Sequence, residues 1–86
     1  MASYAEIRDA IHHTISQAAQ VQAWLKTINT DIDHMHARML HTGEGTASDD
    51  MLQAIARLAM AKKEPERLVA LLEEAKTDLY HYLESH

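Results

Sequence analysis

Seven of the 86 residues are histidine and thirteen are aspartate or glutamate. Imidazole and carboxylate are ordinary ligands of zinc, and on a helix they share a face only at i to i+3 or i+4. Asp9 with His12 and His13 has that spacing, as does Asp33 with His36. A di-metal bundle site needs such pairs pointing inward from several helices. The heptad pattern set out below turns His12, His13, His34, His41 and His81 away from the helix seam, and His36 only flanks it. The histidines therefore read as solvated surface groups, and neither a metal site nor a cofactor is expected. If an ion binds at all, the place for it is the open end, where Asp9, His12, Asp78 and His81 could gather. The imidazoles have a second use open to them. Near pH 6 they gain charge, which would offset the net −5 and alter self-association.

Nothing else in the chain suggests catalysis, and no catalytic residue is assigned. There is no nucleophile elbow, no phosphate-binding glycine loop after a strand and no buried carboxylate pair. With no cysteine, thiolate catalysis, iron–sulfur clusters, thiolate zinc sites and disulfides are excluded, and a reducing compartment fits. A net charge of −5 argues against nucleic acid as a partner, because that binding needs a clustered basic surface. No apolar run approaches the ~20 residues of a membrane span. The start, Met1 to Glu6, lacks the basic region and apolar core of a cleaved secretory signal. The expected location is the cytoplasm, or outside the cell by a route without such a leader.

The elements that would position any site are helical. Phenylalanine is absent, and the chain has only two glycines and one proline. Ser3 and Glu6 form a capping box that opens a helix expected over residues 4–41. Its apolar stripe reads Tyr4, Ile7, Ile11, Thr14, Ala18, Val21, Leu25, Ile28, Ile32, Met35 and Met39. A turn follows over 42–48, with Gly43 suited to a left-handed helix end and Thr46 or Ser48 suited to cap the next helix. The second helix is expected over 49–85, with the seam Met51, Ile55, Leu58, Lys62, Pro65, Val69, Leu72, Lys76, Leu79 and Leu83. Pro65 removes a backbone donor and crowds the carbonyl of Ala61, so a kink or break is expected near residues 61–65. The two stripes match as one antiparallel hairpin in a single domain, with facing residue numbers adding to about 90. Lys62 and Lys76 interrupt the second seam. They are expected at its edge, near Asp31 or Asp78, with Thr14 opposite Lys76.

A lone hairpin uses one stripe of each helix, yet this sequence has more. Ala54, Ala61, Leu68, Ala75 and Tyr82 recur every seven residues beside the second seam, and Ile15 and Trp24 lie beside the first. An apolar face this wide suits a helix with two neighbours. These seven residues are the expected partner interface, and the hairpin is expected to associate into a four-helix bundle. The partner would be itself, as a homodimer, or another helical protein.

Near the end of the second helix, Tyr80 is followed four residues later by Glu84. A tyrosine and an acid at that spacing, after the second helix of a small acidic hairpin, resemble the export signal of the WXG-type small proteins of type VII secretion. The resemblance implies a hairpin that pairs into a four-helix bundle, with Tyr80 and Glu84 as the export motif. The family's tryptophan-x-glycine turn is not matched: Trp24 lies mid-helix and the turn reads Thr42-Gly43-Glu44-Gly45. The expected function is a non-enzymatic protein-interaction module, a secreted hairpin or companion protein of such a system. The alternatives are a cytoplasmic homodimeric bundle with a regulatory or scaffolding task and, further off, a metal- or pH-responsive protein.

Overall fold

The computed structural model describes residues 2–43 and 48–85. Three helices account for nearly all of them: α1, Tyr4–Gly43; α2, Asp49–Ala61; and α3, Lys63–Ser85. Ser3 starts α1 as expected, its hydroxyl accepting from the Glu6 amide at 3.2 Å and its carbonyl from the Ile7 amide at 3.0 Å. Ser48 holds the N-cap position of α2, its carbonyl accepting from Leu52 at 3.1 Å, with Asp49 and Asp50 at the positive end of the helix dipole. Thr46 and Gly45 lie outside the described residues. Packed back along α1, α2 and α3 form the second arm of a hairpin 63 Å long and 20 by 15 Å across.

The second arm breaks where proline predicts. Lys62 alone separates α2 from α3, and its amide still reaches the Leu58 carbonyl at 3.2 Å. Pro65 then falls in the first turn of α3, where its missing N–H has no intrahelical bond to lose. The ring is buried against α1. Every residue of the expected second seam, from Met51 to Leu83, is buried or half-buried.

The first seam departs from expectation along one of its two rows. Ile11, Ala18, Leu25, Ile32 and Met39 face inward as expected. Beside them, however, the inward row is Ile15, Gln22, Asn29, His36 and Gly43, while Tyr4, Thr14, Ile28 and Met35 are exposed. The helix is turned so that polar side chains reach acceptors on the other arm. The pairing constant moves with it: Gln22 with Glu73 and Asp33 with Lys62 add to 95 rather than about 90.

Gly43 corrects a second expectation. It is the last residue of α1 and keeps a right-handed backbone, so it is not a left-handed cap. A Cβ there would stand 3.2 Å from both Ile55 Cδ1 and Met51 Cγ. Its lack of a side chain allows the arms to approach closely beside the turn.

Candidate protein-binding face

The two flanks of the hairpin differ in chemistry. One flank carries polar ties between the arms. Gln22, only 7% exposed, donates Nε2 to the Val69 carbonyl at 3.1 Å and to Glu73 Oε2 at 2.9 Å. Glu73 also pairs with Lys76 at 3.1 Å, and Lys62 reaches Asp33 at 2.6 Å. The acids that meet the seam lysines are thus Asp33 and Glu73, not Asp31 or Asp78. The α1 residue linked to Lys76, through Glu73, is Gln22; Thr14, expected opposite that lysine, is exposed. Hydrogen bonding from Lys62, and then its charge, holds the Asp33 carboxyl below the usual carboxylate range. The Gln22 amide, followed by Lys76, does the same for Glu73.

A shallow groove of about 210 Å³ lies on this flank, lined by Leu25, Lys26, Asn29, Pro65, Glu66 and Val69. Asn29 Oδ1 is buried and has no hydrogen-bond partner among the described residues.

Alongside these ties the opposite flank is apolar, whereas toward the ends Leu40, Leu52 and Tyr80 are exposed on the helical rows of Asp33, Glu66 and Glu73. On α1, Trp24, Ile28 and Met35 lie across the helix from the row of Gln22, Asn29 and Asp33. On α3, Leu68 and Leu71 lie across from Val69, Glu73 and Lys76. Because the polar rows of both arms meet on one side, the apolar rows of both arms must meet on the other. All five of these apolar side chains are exposed, Trp24 by 63%.

The expected interface residues divide accordingly. Trp24, Leu68, Ala54 and Ala75 are exposed, and Ala61 and Tyr82 are half-buried. Ile15 is instead 8% exposed and belongs to the hairpin's own seam. Ile28 and Met35, expected in the first seam, and Leu71, which belongs to neither expected row, extend the exposed face. Leu71 had a signal, since it follows Leu68 by one helical step of three. Tyr80 and Glu84 are both exposed, one turn apart near the end of α3.

Among the described residues, no three His, Asp or Glu side chains come together to hold a metal, so Asp9, His12, Asp78 and His81 do not gather at the open end. No helix among the described residues is long and apolar enough to cross a membrane. The class defined by these features is an all-α hairpin with one continuous and one jointed arm. No protein-family model, curated protein or solved structure matches the chain.

Proposed function

We propose that this chain is a non-enzymatic protein-binding module that docks a helical partner on the face formed by Trp24, Ile28, Met35, Leu68 and Leu71. The observation that carries the reading is the segregation of the flanks along residues 22–35 and 62–76: cross-arm polar ties occupy one, and large exposed apolar side chains from both arms occupy the other. Apolar faces of this kind are the ordinary marks of protein contact surfaces. They suit a helix-on-helix partner because their side chains follow the three-and-four spacing of a packing stripe.

The exposed Tyr80 and Glu84 fit an export role, so the module is proposed as a secreted hairpin or a companion of a type VII-like secretion system. A cytoplasmic scaffold or regulator built from the same face is the second reading, favoured by an apolar surface that needs a partner wherever the chain resides. Native-mass measurement of the chain drawn from its own host tests the binding role. The expected result is a mass well above 9.7 kDa that Trp24→Glu reduces. A free chain of 9.7 kDa in the host extract would refute it. Loss of the chain from the medium on Tyr80→Ala or Glu84→Ala separates the secretion reading from the cytoplasmic one.

A further inference from the structure

We infer that the outer side of α2 is a second docking surface, over which a folded protein other than this chain closes an apolar cleft with a basic lip at the Asp49–Asp50 end. The surface is separate from the Trp24–Leu68 face. It also works in another way, since α2 is the guest helix laid in the partner's groove.

Composition is the first argument. Of the 13 residues of α2, only Asp49, Asp50, Gln53 and Arg57 are polar. A helix that is apolar on every side belongs in a buried setting. Here α1 covers one side, holding Met51, Ile55 and Leu58 half-buried, and no residue of α2 is buried. Leu52, Ala56 and Met60 follow one another by four along the other side, as a packing ridge does. All three are exposed, Leu52 by 57% and Met60 by 68%, and Leu40 of α1 is exposed on the flank that Leu52 shares. A partner on the Trp24–Leu68 face leaves this ridge uncovered, because Leu68 continues the row of Ala54 and Ala61 on the far flank.

Shape and charge describe the occupant. The ridge is convex, with Leu52 and Ala59 on one shoulder and Met60 at its crest. A flat surface would touch the crest alone, whereas a cleft reaches both, and the small Ala56 and Ala59 let its walls come close. A second copy offers only another convex ridge. Asp49 and Asp50 are exposed at the start of α2. Toward the far end Lys63 and Arg67 offset Glu64 and Glu66, Lys62 is held by Asp33, and Arg57 lies midway. Net acid is thus confined to one end, which a basic lip complements.

The test uses the full chain, pure and in host extract, with one cysteine introduced at a time, since the native chain has none. Met60→Cys should react with a maleimide about tenfold more slowly in extract than when pure. Glu74→Cys, exposed on the same helical row, should react alike in both. Leu52→Glu should restore the fast rate at 60, and Asp49→Asn with Asp50→Asn should restore part of it. Should Leu52→Glu lose its helicity, the aspartate pair decides. A benzophenone at 60 should join one other protein, at residues lining an apolar cleft. Equal rates at 60 in both settings, a rate unmoved by the aspartate pair, or an adduct with this chain itself would overturn the inference. Trp24→Glu should lower the native mass and leave the slow rate at 60 unchanged. If it exposes 60 as well, the two surfaces are one, and the inference falls while the binding role stands. A slow rate at 60 with a mass indifferent to Trp24→Glu keeps this surface and removes the Trp24 face.

Discussion

Gln22 on α1 gives its side-chain amide to the backbone carbonyl of Val69 on α3, 3.1 Å away and 47 positions along the chain. The same amide reaches Glu73 Oε2 at 2.9 Å, so one polar residue ties the arms at two points. Gln22→Ala should cost about 1–2 kcal/mol, from two lost hydrogen bonds and an unfilled place in the seam. Gln22→Leu should be close to neutral. The Val69 carbonyl keeps its place in the α3 ladder, Glu73 is open to water, and Leu fills the space. Urea midpoints of the two variants check this, and an unchanged Gln22→Ala would refute it.

Acid should loosen the hairpin through Asp33 and Glu73. Both carboxyls titrate below their usual range in the folded chain, Asp33 chiefly through the Lys62 hydrogen bond and Glu73 chiefly through the Gln22 amide. A lowered folded value means that the folded state favours the charged form. The stabilisation is therefore complete above the unfolded pKa of about 4 and fades as pH falls through the lower folded value. Asp33→Asn with Glu73→Gln should flatten that loss below about pH 4. Thermal midpoints measured between neutral pH and pH 3 read the effect, and equal slopes in variant and parent would count against it.

Pro65→Ala should knit the second arm. It restores an N–H opposite the Ala61 carbonyl and removes the ring that crowds it, while giving up the packing of the buried ring against α1. The two effects oppose, so the change in stability should be small. Amide exchange at residues 61–66 should nevertheless slow. Unaltered exchange there would show that the break has another origin.

Gly43 should tolerate alanine but not a branched side chain. Alanine meets Ile55 and Met51 at 3.2 Å, a crowding that two flexible side chains can relieve. Helix preference returns about 0.5–1 kcal/mol. Gly43→Val adds bulk that α2 cannot avoid without moving outward, and it should cost about 1–3 kcal/mol. Melting temperatures of the pair decide it.

Period and proline made the architecture legible. The second seam was readable from Met51 to Leu83 because its apolar positions keep one spacing throughout, and Pro65 announced the break. The first arm offered two candidate rows beside Ile11, Ala18, Leu25, Ile32 and Met39. Hydrophobicity alone prefers the row of Thr14, Val21, Ile28 and Met35 to that of Ile15, Gln22, Asn29 and His36. The structure takes the polar row, with only Ile7 and Val21 of the other row half-buried. The unread clue lay on the opposite arm, where Lys62 and Lys76 sit in the seam and require polar company. Those lysines set the rotation of α1, and the same rotation puts Ile28 and Met35 outside. The exposed face was therefore only half legible, through Trp24, Leu68 and the alanines.

The single non-helical residue at 62 gives the two halves of the second arm different fates. Thirteen residues of α2 are too few to hold a helix in water alone, since isolated helices below about 12–15 residues are marginal. The 23 residues of α3 and the 40 of α1 are not so limited. On warming, α2 should let go first, peeling from the turn as far as Lys62 and stopping at the joint, while α3 stays docked beside α1. The molecule then behaves as a clasp on a fixed bar, able to open at one end without coming apart.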